Sequence, residues 1–140
     1  MVTRHVLLDT SFLIALENRS DPHHQRAKDL DRELFDQHAV LVLHWGILLE
    51  IGDGYARIGR RGKAQNLFQR LRTEERYQIE PLTQNLLDTG FEIYLSRSDK
   101  EWGLTDCLSS ALMESEDISD ALTADVHFRQ AGFEALLLAN

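Results

Sequence analysis

The amino-acid sequence predicts a doubly wound α/β fold, a parallel sheet covered by helices on both faces. Two observations carry that expectation. Short apolar runs such as Val6 to Leu8 and Ala39 to Leu43 are continuous, not alternating, as strands buried on both faces require. Longer segments between them repeat their apolar residues at helical spacing, and strands that alternate with helices build parallel sheets through crossover connections.

Arg4 to Leu8 reads as the first strand and delivers Asp9 at its carboxyl end. Thr10 or Ser11 then caps a helix running through Phe12, Leu13, Ala15 and Leu16. Ser20-Asp21-Pro22 starts a second helix, with Pro22 in the first turn and Ala27, Leu30, Leu34 and Phe35 on its apolar face. After the strand Ala39 to Leu43, Trp45, Leu48, Leu49, Gly52 and Tyr55 mark a third helix, which carries Glu50. Lys63 to Thr73 is a fourth amphipathic helix, and Tyr77 to Pro81 alternates like a strand. Leu86, Phe91, Ile93, Tyr94 and Leu95 suggest a further helix. Thr105-Asp106 opens another, with Leu108, Ala111, Leu112 and Met113 at helical spacing. Ser119 to Thr123 and Glu134 to Leu138 read as closing strands, with Gly132 turning the chain between them.

The whole of residues 1–140 is expected to form one domain, because no linker, repeat or low-complexity stretch divides it. A 43% hydrophobic content with only two prolines argues against disorder. No apolar run approaches the ~20 residues that cross a bilayer, so no membrane association is expected. Asp9 interrupts the apolar N-terminal run and no small-residue cleavage site follows, so that segment reads as part of the fold. Cys107 is the only cysteine, which excludes an intrachain disulfide and a cysteine-built zinc site and suggests a reducing cytoplasm. The net charge of -8 excludes sequence-blind nucleic-acid binding of the usual basic kind, so local placement of charge matters. Arg57, Arg60, Arg61 and Lys63 form the densest basic stretch, equally readable as an RNA-backbone grip, a solvated turn or a partner-binding edge.

Asp9 ends a strand, Glu50 stands among apolar residues, Asp106 begins a helix and Asp125 follows a strand. Each is expected to be buried. In open parallel sheets ligands bind beyond the carboxyl ends of the strands, at the switch in strand order. Several buried carboxylates repel one another, so their pKa values rise or a cation sits between them, and no lysine neighbours them in sequence to serve. Mg²⁺ or Mn²⁺ suits an all-oxygen set and would favour hydrolysis of a phosphate ester. Singly, each acid has an ordinary reading: Asp9 and Asp106 as helix-start residues, Glu50 as a solvent-facing helix residue, Asp125 as a turn acid. Cys107 reads as a small buried apolar residue. His23, His24 and His44 lack a ligand spacing, and His127 is a substrate-side candidate at most.

The segments LLDTSFLIAL, LLEIGDGYAR, WGLTDCLSSALM and ALTADVHFRQAGF, in order and across essentially the whole chain, resemble a PIN domain, above all VapC-type toxins. The resemblance implies a PIN-like three-layer α/β/α fold with a central parallel sheet. It also implies an Mg²⁺- or Mn²⁺-dependent endoribonuclease, the toxin of a toxin-antitoxin pair. Asp9, Glu50, Asp106 and Asp125 match the family's four metal-holding acids, while Ser11 and Thr123 match hydroxyls that support them. Asp99 fits a peripheral position. RNA as substrate, a small antitoxin that blocks the acidic groove, and a homodimer are implied with it. The competing reading is a PIN-like module that binds RNA or protein without cutting. A haloacid-dehalogenase-like phosphatase is disfavoured because Ser11 stands where its second acid belongs. A receiver domain is disfavoured because the acidic pair near its start and its late lysine are both missing.

Overall fold

The structure is a computed structural model, and it describes residues 2–57 and 59–138. The chain begins with β1 (His5–Leu8), α1 (Thr10–Glu17), α2 (His24–Asp36), β2 (Val40–His44), α3 (Trp45–Gly54) and α4 (Arg61–Thr73). It continues through β3 (Tyr77–Glu80), α5 (Gln84–Ser96), α6 (Leu104–Ser115), β4 (Asp120–Leu122), α7 (Val126–Gln130) and β5 (Glu134–Ala135). The strands form one five-stranded sheet in the order β3-β2-β1-β4-β5. Every pairing is parallel, as the continuous apolar runs predict.

Alternation along β1 explains why those runs carry no polar residue. Val6 and Leu8 face a core shared with Phe12 and Leu13 of α1, Leu30 and Leu34 of α2, Ile47 of α3 and Leu67 of α4. Leu7 faces the other way, toward Leu112 and Met113 of α6 and Phe128 of α7. Both faces of β1 are therefore closed, and three layers result.

Several expectations need correction. Asp9, not Thr10 or Ser11, occupies the N-cap of α1, which leaves both hydroxyls inside the first turn and free for other partners. Helix α2 begins at His24, because Asp21 Oδ1 accepts the His23 N–H (2.8 Å) and holds Ser20 to His23 as a turn. The closing strands are not joined by a turn alone: α7 lies between them, and β4 and β5 run parallel. Of the expected apolar face of α5, Phe91, Tyr94 and Leu95 are exposed, and Gly90 is the buried residue of that helix.

The order of the sheet positions the site. The chain lays β2 and β3 on one side of β1 and β4 and β5 on the other, so strand order reverses between β1 and β4. Leu8 pairs with Leu122, and the Asp9 N–H bonds the Leu122 carbonyl (3.2 Å), carrying the pairing to the very end of β1. Asp9 and Thr123 therefore leave the sheet side by side.

Candidate active site

Asp9 is buried at 6% exposure, and its Oδ2 accepts from Ser11 Oγ (2.8 Å) and Thr123 Oγ1 (2.8 Å). Those hydroxyls are themselves oriented by the backbone. The Ala124 N–H donates to Ser11 Oγ (3.1 Å) and the Asp125 N–H donates to Thr123 Oγ1 (3.0 Å), so both hydroxyl protons are directed at Asp9. Two elements far apart in sequence thus clamp one carboxylate at the switch point. Burial still raises the Asp9 pKa, an effect the two hydroxyls only partly offset.

Glu50 comes in from α3. Its Oε1 accepts from Thr10 Oγ1 (2.7 Å), and partial burial together with the charges of Asp9 and Asp125 raises its pKa. The expectation of a buried Glu50 is corrected: it lies at the exposed rim, beside exposed Leu49 and buried Ile51. Asp106 sits in the first turn of α6 and Asp125 at the N-cap of α7, where its Oδ1 accepts the His127 N–H (2.9 Å). Burial and then the charges of Asp9, Asp125 and Glu50 push Asp106 up to about 7. The ordinary reading of Asp125 as a turn acid gives way to a helix cap, and that role coexists with membership of the cluster.

The four acids converge, and their charges act on one another. Among the described residues none of them is ion-paired with lysine or arginine. The side chain that does approach is His127, whose Nδ1 lies 3.1 Å from Asp125 Oδ1 and 3.8 Å from Asp106 Oδ2. Sequence reasoning gave His127 a substrate-side place at most and Thr10 only a capping one, and it missed their contacts with the acids. The only local signal for His127 is its place two residues after a helix-capping acid, and Thr10 gives none.

The basic stretch divides. Arg60 and Lys63 line a groove of about 370 Å³ with Thr10, Ile14, Glu50 and Tyr55, so they share a wall with the acid site. Arg61 instead faces a second groove with Phe68 and Arg72, its Nε donating to the Ala56 carbonyl (3.1 Å). Arg57 is exposed and lines neither groove. Asp99 is exposed and paired with Arg97 and Lys100, as a peripheral position requires.

The sequence model of the PIN domain family matches residues 6–134. The chain belongs to the PIN domain family. The 23S rRNA-specific endonuclease VapC20 of Mycobacterium tuberculosis is 30% identical to this PIN protein over 132 residues, covering 91% of this chain and 95% of that protein. The crystal structure of VapC20, described as a Sarcin-Ricin loop cleaving toxin, superimposes with a TM-score of 0.78 at 27% identity, again over 91% and 95% of the two chains. FitAcB from Neisseria gonorrhoeae shares the fold at a TM-score of 0.68 and 20% identity, over 93% of this chain and 95% of its own. No helix among the described residues is long and apolar enough to cross a membrane.

Proposed function

We propose that this PIN domain is a metal-dependent endoribonuclease and the toxin of a toxin-antitoxin pair. The observation that carries this reading is the convergence of Asp9, Glu50, Asp106 and Asp125 with no lysine or arginine to balance them among the described residues. A carboxyl group driven to about 7 by burial and then by three neighbouring acids is a site that a divalent cation would relieve. The residues thus fit Mg²⁺ or Mn²⁺, and the same four acids would hold it. When bound, the ion activates water and neutralises charge on a phosphodiester.

The chain's own groups have separable tasks. Ser11 and Thr123 fix Asp9, Thr10 draws Glu50 toward α1, and the His127 N–H fixes Asp125. Asp106, its carboxyl pushed up to about 7, is only partly ionised near neutral pH in the metal-free protein and would give up the remaining proton on loading. Arg60 and Lys63, on the wall shared with Glu50, would grip the RNA backbone. Likeness to a 23S rRNA-specific endonuclease makes ribosomal RNA the first substrate to test. In this reading residues 1–140 act as one cytoplasmic domain, consistent with a single buried free thiol at Cys107. It forms a homodimer, and a small antitoxin covers the acidic groove.

End-mapped sequencing of total RNA tests the reading. Purified, partner-free protein is incubated with Mg²⁺ or Mn²⁺, with chelator, and as the Asp9→Asn variant. New ends that require both metal and Asp9 are expected. Ends that persist in chelator or in Asp9→Asn contradict the assignment, and absence of any new end favours the binding module.

A further inference from the structure

We propose that His127 supplies a nitrogen ligand to the ion held between Asp106 and Asp125, giving this centre a preference for Mn²⁺ over Mg²⁺. The inference rests on the metal-centre reading above and adds a ligand to it. Its first support is an unmet need. Nδ1 of His127 is buried and has no aligned hydrogen-bond partner among the described residues, although it lies 3.1 Å from Asp125 Oδ1. That oxygen already accepts the residue's own backbone N–H at 2.9 Å. A buried ring nitrogen left unpaired costs about 1–3 kcal/mol, and few native side chains carry that cost without a reason.

The second support is spacing. One ligand atom each from Asp106, Asp125 and His127 lie within 4.8 Å of one another. Adjacent ligands of an octahedral ion with bonds of about 2.1 Å are about 3 Å apart and opposite ones about 4.2 Å. The 3.1 Å and 3.8 Å separations of Nδ1 from the two carboxylates fall within that range.

The third support is that the helix carrying the ring is anchored. Phe128 of α7 is buried, and Trp102 Nε1 donates to Gln130 Oε1 (2.9 Å) at the end of the same helix. Trp102, Ser110 and Phe128 enclose the cleft that His127 shares with Asp106. With the proton on Nε2, the Nδ1 lone pair is available as a donor. Mg²⁺ strongly prefers oxygen and water, whereas a nitrogen donor favours first-row transition ions, of which Mn²⁺ also suits carboxylates.

Pulsed electron paramagnetic resonance on the full, partner-free chain loaded with Mn²⁺ reads the ligand directly. We expect nitrogen coupling in the native chain and its loss in His127→Gln. Mn²⁺ affinity should fall about tenfold in that variant, with Mg²⁺ affinity, measured by competition, changing by less than about twofold. Bound Mn²⁺ without nitrogen coupling overturns the His127 assignment and leaves the four-acid centre standing, as does an equal loss of affinity for both ions. The spectrum of the native chain decides this even if the variant fails to fold. Mn²⁺ binding that ignores Asp9→Asn overturns the four-acid centre itself, and the ligand with it.

Discussion

β1 runs into Asp9 and its neighbour β2 ends in His44; both side chains are buried, and both residues cap the helix that follows. Their surroundings differ. His44 Nδ1 accepts the Gly46 N–H (3.0 Å), so Nε2 carries the proton and donates to Ser109 Oγ (2.9 Å). Burial drops its pKa to about 4, and the ring is neutral and satisfied on both sides. Even the spacing is closed, since a Cβ at Gly46 would stand 2.6 Å from the imidazole Cε1. Asp9 is also hydrogen-bonded, yet it faces Glu50, Asp106 and Asp125, and its charge is multiplied instead of balanced. A buried polar group whose needs are met locally holds a fold together. One whose charge is left over marks a site for something the chain does not contain.

The largest effect that sharpens this contrast is on stability. His44→Ala strands the Gly46 N–H and the Ser109 hydroxyl, and is expected to cost about 2–4 kcal/mol in urea unfolding. Its divalent-ion affinity, measured on the folded variant, should stay within about threefold of the native value. A large loss of ion affinity would erase the division between the two strand ends. Thr123→Ala should do the reverse, lowering ion affinity by about 10–100-fold through the loosened Asp9, with a smaller change in unfolding free energy.

The two ends also predict opposite responses to pH in metal-free protein. The folded pKa of His44 is about 4 against an ordinary 6.5, so its share of stability is complete above 6.5 and is lost as pH falls toward 4. Asp106 has a folded pKa of about 7 against 3.8, so its share is present at low pH and is lost as pH rises through that window. Asp106→Asn should therefore raise the metal-free melting temperature by roughly several degrees at pH 8 and by about a third as much at pH 5. An equal effect at both values would remove Asp106 from the unbalanced cluster. The smallest expected effect lies at the groove. Arg60→Ala or Lys63→Ala should reduce the salt dependence of RNA binding by about 0.7 in log–log slope, whereas Arg57→Ala, outside the groove, should leave it unchanged.

Much of this contrast was legible in the sequence where chemistry is local. A strand buried on both faces writes itself as an unbroken apolar run, so β1 and β2 and the acid that follows β1 could be located, whereas β4, only Asp120 to Leu122, reads as a short strand-like stretch that places Asp125 after it. Helix α7 was not legible because five residues with only Phe128 buried have no period to detect. Helix α5 was legible as a helix, but its packing was not. It packs through Gly90, where an added Cβ would approach Leu108 Cδ2 to 2.5 Å, while Phe91, Tyr94 and Leu95 turn outward. The contacts of Thr10 with Glu50 and of His127 with Asp106 depend on how separate elements meet, which no local pattern encodes.

The central claim is that the leftover charge at Asp9 and its neighbours is a binding site for a divalent ion. Calorimetric titration of the metal-free protein with Mn²⁺ at pH 6, in two buffers of different ionisation enthalpy, tests it most directly. Binding that releases a proton, loses the release in Asp106→Asn, and weakens by more than about a hundredfold in Asp9→Asn is the predicted result. Binding without proton release, or of equal strength in Asp9→Asn, would contradict it.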